Sequence, residues 1–159
     1  MKYIVKDFDT RYYAGIELIG GFRIGSDGHK KLPGLWEELE NVYLDDIPNK
    51  KDPLHFVGLE IYRVDFAETK MVDYYALVET DGLIGLDDDN NLVTKKLPKG
   101  SYMMFPIDKN NLVNDIKKVY RYIEQEAFNI HIGFHVEDYT YFQERKDDKT
   151  LYLCFKLEE

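Results

Sequence analysis

Two short stretches carry the residue types that could do chemistry. Ile130 to Tyr139, IHIGFHVEDY, ends with Glu137 and Tyr139, and Leu54 to Tyr62, LHFVGLEIY, ends with Glu60 and Tyr62. The two glutamates are 77 residues apart, and so are the two tyrosines. Both stretches alternate in the manner of a strand, so residues two apart share a face. On that alternation His135, Glu137, Tyr139 and Tyr141 point the same way. A carboxylate among aromatic rings suits a lipophilic cation: the rings supply apolar area and cation–π attraction, and the carboxylate supplies a charge partner in reduced dielectric. Desolvation should raise the pKa of such a glutamate while the site is empty, and a bound cation should lower it again. The same pair could also serve a hydrolase, with Glu137 as general base for a water and a tyrosine hydroxyl steadying the oxyanion. The plainer alternative is a surface glutamate paired with a lysine.

Other candidates for chemistry fall away. His131 and His135 are four apart, which in a strand separates them by roughly 13 Å at about 3.3 Å per residue, and His29 and His55 lie elsewhere; no metal site is expected. The run Asp87-Asp88-Asp89 does not continue as a calcium-binding loop, because Leu92 and Pro98 stand where that loop needs glycine and glutamate. Cys154, the single cysteine, sits in an apolar segment and reads as core filler, and it excludes an intramolecular disulfide. Neither a nucleophile elbow nor a phosphate-binding glycine loop is found, so no catalytic residue and no cofactor are assigned.

The elements that must position the two glutamates follow from periodicity. Leu35, Leu39 and Val42 recur at helical spacing after Pro33, with Trp36, Leu39 and Tyr43 as an adjoining stripe, and the pattern stops before Pro48. Leu54 to Val64 and Lys70 to Glu79 read as strands joined by a hairpin. In the first of these, the apolar face Val57, Leu59 and Ile61 is expected against the helices, with Glu60 and Tyr62 on the opposite face. After a linker from Thr80 to Asn91 the order recurs: the turn and strand KLPKGSYMMFP, a helix with Leu112, Ile116, Val119, Tyr120 and Ile123 on one side, the Glu137 strand, and a last strand from Leu151 to Leu157. Asp108, Asn110 or Asn111 can cap that helix. A shift of 77 maps Leu35, Leu39, Val42, Tyr43, Glu60, Tyr62 and Tyr75 onto Leu112, Ile116, Val119, Tyr120, Glu137, Tyr139 and Tyr152. The fold class expected is α+β: two pseudo-symmetric strand–helix–strand–strand repeats, about 1–79 and 92–159, whose antiparallel sheets leave a ligand cleft between the halves. The whole of 1–159 is read as one domain. Tyr75 and Tyr152, related by the shift, join the candidate pocket residues.

Bulk composition narrows the partners. The 159 residues carry a net charge of −9 with 44% hydrophobic residues and 13 tyrosines. A phosphate-neutralising surface would be basic, so direct nucleic-acid binding is not expected. Thirteen tyrosines suit pockets and interfaces as well as strands. The start MKYIVKDFDT is too polar for a signal peptide, and no apolar run approaches a membrane span; no membrane partner and a cytoplasmic location are expected.

Leu35-Trp36 at the start of the first helix, the LPKGSY turn and strand, and the late Glu137-x-Tyr139 together resemble the GyrI-like effector-binding domains. These are the ligand-binding domains of AraC- and MerR-type regulators, and they also stand alone in integron-associated effector-binding proteins and gyrase-inhibitory proteins. The resemblance runs from about Tyr12 to Leu157. It implies an aromatic pocket between the halves with a buried acidic residue that meets a small lipophilic or cationic molecule. By position Glu137 matches the family's late-strand glutamate, Tyr139 its companion, Trp36 the helix tryptophan, and Tyr102 the tyrosine after the LPKG turn. Val136 stands where an aromatic residue is more usual. The function expected is a stand-alone sensor or sequestering protein in transcription regulation or drug resistance. The alternatives are a small-molecule hydrolase using the pocket glutamate, and a protein-interaction module whose partner is a regulator or gyrase.

Overall fold

The computed structural model describes residues 1–86, 91–139 and 149–158; Asp87-Asp88-Asp89 and Tyr141 lie outside the described residues. The strands are β1 (Ile4–Phe8), β2 (Arg11–Glu17), β3 (Phe22–Arg23), β4 (Phe56–Tyr62), β5 (Met71–Thr80), β6 (Val93–Leu97), β7 (Gly100–Asp108), β8 (Phe134–Asp138) and β9 (Thr150–Lys156). Helix α1 (Leu32–Glu38) runs into a π-helical turn over Leu39–Tyr43, α2 (Phe66–Thr69) is one turn, and α3 (Leu112–Glu126) is the long helix. This is an α+β fold. With the two-residue β3 and the one-turn α2 left aside, strand, helix, strand, strand occurs twice, as β2-α1-β4-β5 and as β7-α3-β8-β9.

One antiparallel sheet joins both halves in the order β1-β7-β9-β8-β4-β5-β2-β6, with β3 beside β5. Its connections force it to curl. Asp9 and Thr10 alone link β1 to β2, yet six strand spacings separate those strands along the sheet, about 29 Å if it were flat. Three Cα steps span at most about 11 Å. Pro98 and Lys99 make the same demand between β6 and β7. The sheet therefore wraps on itself. Its inner face holds Tyr13, Val57, Leu59, Tyr75, Leu77, Leu97, Tyr102, Met104, Val136 and Cys154 as one buried cluster.

The curl reverses the expected facing of β4. Val57, Leu59 and Ile61 bury themselves inside the wrapped sheet, and Glu60 and Tyr62 face the helices. The apolar side of a strand seeks whatever excludes water best, which here is the sheet's own interior. On the outer face, Leu35 and Leu39 cover β2 and β5 through Ala14, Ile16, Tyr74 and Ala76. Val119 and Ile123 of α3 cover Met103, Phe105, Leu153 and Phe155. Val42, expected in the α1 stripe, is 59% exposed, because the π turn at Leu39–Tyr43 adds a residue to the repeat and rotates it outward. The α3 stripe keeps its spacing to the end, where Ala127 takes the left-handed conformation and closes the last carbonyls. The turn before α3 is capped by Asp108, which accepts from Asn110 N–H at 2.8 Å.

Candidate functional site

The two helix-covered areas meet over the central strand pair β4 and β8. The register there sets Glu60 opposite His135 and Gly58 opposite Glu137. Alternation then brings both carboxylates and the imidazole to the same outer face, and all three side chains are buried. His135 Nε2–H donates to Glu60 Oε2 at 2.7 Å. Its Nδ1 meets the hydroxyls of Tyr62 at 2.5 Å and Tyr120 at 2.9 Å, and those hydroxyls lie 2.5 Å from each other. Strand β4, strand β8 and helix α3 thus converge on one ring.

Glu137 has different company. The Tyr139 hydroxyl donates to Glu137 Oε2 at 2.6 Å, and Glu60 lies within hydrogen-bonding reach. Behind it, Trp36 Nε1–H donates to the Tyr74 hydroxyl at 3.0 Å, and Tyr74 and Tyr139 are themselves in hydrogen-bonding contact. Trp36 also sets its ring edge-on against Tyr139, 5.2 Å between centroids, and against Phe56 at 6.1 Å. Lys109 Nζ lies 5.6 Å from the centre of the Tyr139 ring. Glu137 is 3% exposed, while Trp36, Tyr62, Tyr120 and Tyr139 around it are half-buried. The site is a layer of aromatic rings over two carboxylates.

The charges follow from these contacts. Burial alone would raise Glu60, but the His135 imidazolium against it outweighs this and holds the carboxyl below its ordinary range. Burial alone would lower His135, yet the Glu60 charge carries it up to about 10. For Glu137 burial and the Glu60 charge act together and raise it to about 8, against the pull of the Tyr139 hydrogen bond and His135. Glu60, His135 and Glu137 each present a donor atom within 4.8 Å of the others. A metal ion could be held only by giving up the His135–Glu60 contact, since that nitrogen and that oxygen already bind one another.

A family model for integron-associated effector-binding proteins matches residues 3–154. The chain belongs to that family. The GyrI-like resemblance read from its motifs therefore holds, and binding of a small effector is the family's common property. Among solved structures, an integron cassette protein from Vibrio cholerae superposes with a TM-score of 0.69 at 18% identity, over 98% of this chain and 95% of that one. SAV2435, seen bound to tetraphenylphosphonium, gives 0.73 at 17% identity over 99% and 94%. The EcmrR C-terminal domain gives 0.66 at 12% identity over 99% and 98%. At these identities the likeness is one of fold. No curated protein sequence matches this chain.

Of the residues singled out in the sequence of this family member, Glu137, Tyr139, Trp36 and Glu60 come together. Tyr102, Tyr75 and Tyr152 do not join them: all three face the interior of the curled sheet. Tyr102 donates to the Pro98 carbonyl at 2.7 Å and stacks edge-on with Phe8 at 5.6 Å. In the Tyr74-Tyr75 pair the strand's alternation turns Tyr74 to the site and Tyr75 away. His135, Tyr62, Tyr74 and Tyr120 are site residues that the sequence reading did not select. The shift of 77 maps Tyr43 onto Tyr120 and Tyr62 onto Tyr139, which was signal enough for two of them. A second buried polar cluster lies at the inner face, where His55 donates to Glu79 at 2.9 Å and to Asp138 at 3.0 Å. Burial would lower His55, but the hydrogen bonds to Asp138 and Glu79 prevail and lift it to about 9. Among the described residues no helix is long and apolar enough to cross a membrane.

Proposed function

We propose that the protein binds a lipophilic cation at Glu137, between α1 and α3, as a sensor or sequestering protein in transcription regulation or drug resistance. One observation carries this reading. Of the two carboxylates buried at this site, Glu60 has its countercharge in His135, whereas Glu137 has a hydroxyl partner and aromatic rings but, among the described residues, no cation of its own. A ligand that brings a positive charge and apolar surface completes that arrangement. The fold shared with SAV2435, seen with tetraphenylphosphonium, supports the choice of ligand class. The fold shared with EcmrR, seen in complex with DNA, supports a link to regulation, with this chain covering 57% of that protein. The recurrence of glutamate and tyrosine at a spacing of 77 supports reading the halves as an internal duplication of one unit, all within one domain.

Thermal-shift and calorimetric titration with tetraphenylphosphonium, and with triphenylphosphine oxide as a neutral counterpart, tests the assignment. The wild type is expected to favour the cation. Glu137→Gln should weaken the cation by roughly ten- to a hundred-fold, the value of one charge-assisted contact, and leave the neutral compound unchanged. Equal cation binding by the variant refutes the role given to Glu137.

A further inference from the structure

We propose that binding at this site is an exchange of cations: one lipophilic monocation enters as one proton leaves Glu137 for the solvent. The inference rests on the function proposed above and adds the charge class of the ligand and the pH dependence of its capture.

The argument is a count of charges in a closed space. The groups facing Glu137 are Glu60 and Tyr62 from β4, His135 and Tyr139 from β8, Tyr120 from α3, Tyr74 from β5 and Trp36 from α1. Lys109 stands behind the Tyr139 ring and offers its amine to the π face, not to the carboxylate. Among the described residues this shell holds two carboxylates and one imidazole. The imidazole is fully engaged, with Nε2 on Glu60 and Nδ1 on the two tyrosine hydroxyls, so it can neutralise one acid but has no donor left for the other. A net charge left in such an interior is expensive, several kcal/mol per ion after relaxation. The empty site escapes that cost by keeping a proton on Glu137, which then donates toward Glu60 and accepts from Tyr139. The electrostatics agree, since burial and Glu60 raise Glu137 to about 8.

The occupied site has the same constraint. If a monocation entered while Glu137 kept its proton, the shell would hold an unbalanced positive charge. Loss of the proton restores neutrality: Glu60 remains against His135, and Glu137 as carboxylate lies against the ligand. A dication would need the second carboxylate as well, hence the breaking of the His135–Glu60 pair. The site therefore takes single positive charges. A neutral ligand gains nothing from proton release.

Calorimetric titration of the whole chain with tetraphenylphosphonium, in paired buffers of different ionisation enthalpy, reads the protons directly. Close to one proton should be released per ligand at pH 6.5, and few at pH 9.5. Over the same range affinity should tighten about ten-fold per pH unit up to roughly pH 7.5 and level off above, as one-proton linkage requires. Triphenylphosphine oxide should release none. These measurements need only the wild-type protein, so they do not depend on a variant that folds. Cation binding with no proton release and a flat pH profile overturns the exchange and leaves the binding function intact. No cation binding at any pH overturns the function itself. Undiminished proton release in Glu137→Gln overturns the choice of Glu137 as the source.

Discussion

Replacing Glu137 by glutamine should make the protein more stable than the wild type by about 2 kcal/mol at pH 6 and by about 4–5 kcal/mol at pH 9. Glutamine is isosteric with the protonated acid. Its amide can donate toward Glu60 and its carbonyl can accept from Tyr139, so the contacts at 2.6 Å and beyond are kept. The magnitude follows from linkage. The Glu137 carboxyl ionises near 4.5 when unperturbed and at about 8 in the fold, raised by burial and by Glu60. A raised acid stabilises nothing: between those two values the unfolded chain has released a proton that the fold still holds, so stability falls as pH rises. The slope is about 1.4 kcal/mol per pH unit from roughly pH 5 toward pH 8, and it levels off above. Wild type should lose about 2.5 kcal/mol relative to the variant between pH 6 and pH 9. Denaturant unfolding of both proteins at pH 6, 7, 8 and 9 measures the difference. The stabilisation from His135 also falls, as pH rises from about 6.5 to about 10, but it does so in both proteins and largely cancels in the comparison. Parallel stability curves, or an advantage of the variant over wild type that is smaller at pH 9 than at pH 6, would refute the claim that Glu137 is held protonated.

His135→Ala strips the buried Glu60 of its only imidazolium, and the loss should be about 3–5 kcal/mol near neutral pH; it should shrink at acid pH, where Glu60 takes up a proton, as unfolding at pH 4 and 7 would show. Gly58→Ala sets a Cβ 2.2 Å from the Tyr74 hydroxyl, so the phenol must shift, at about 1–3 kcal/mol. The emission of Trp36, the single tryptophan, should change with it because its N–H partner moves. Tyr74→Phe removes the acceptor for Trp36 Nε1–H and should cost about 1–2 kcal/mol. In that background Gly58→Ala should become cheaper, a coupling that a double-mutant cycle of unfolding energies detects.

How much of this could be read before any coordinates depended on how local the cause was. The α3 stripe Leu112, Ile116, Val119, Tyr120 and Ile123 is set by one helix and came through intact. Val42 failed because the π turn is a response to packing that spacing does not announce. Strands β1 and β6 escaped notice: the exposed Ile4 and Val5 and the lysines at 95 and 96 give edge strands little alternation to read. The face of β4 was assigned backwards because the rule that the apolar side meets the helices assumes a sheet that does not wrap. That wrapping is dictated by two-residue links between strands far apart in the sheet, which is a property of strand order. Tyr102 and Tyr75 were lost to the interior for the same reason. His135 was passed over because it was weighed only against other histidines, and its true partner Glu60 becomes visible only with the β4–β8 register.

That register also supplies a physical reason for preferring one glutamate over its echo. The central pairs are Glu60 with His135 and Gly58 with Glu137. In sequence spacing the two pairs are counterparts, so each glutamate stands across from the position equivalent to the other's partner. On one side that position is an imidazole, which bonds the acid and anchors Tyr62 and Tyr120. On the other it is a glycine, and the space above it is filled by the Tyr74 hydroxyl, which belongs to the hydrogen-bond chain from Trp36. The central strand pair thus carries one neutralised carboxylate and one that, among the described residues, is not. The histidine makes the first glutamate structural, and the glycine leaves the second chemically unfinished. Among the described residues no cation completes it; on the function proposed above a proton and a cationic ligand compete to do so, and that competition is what the proton count at Glu137 would register.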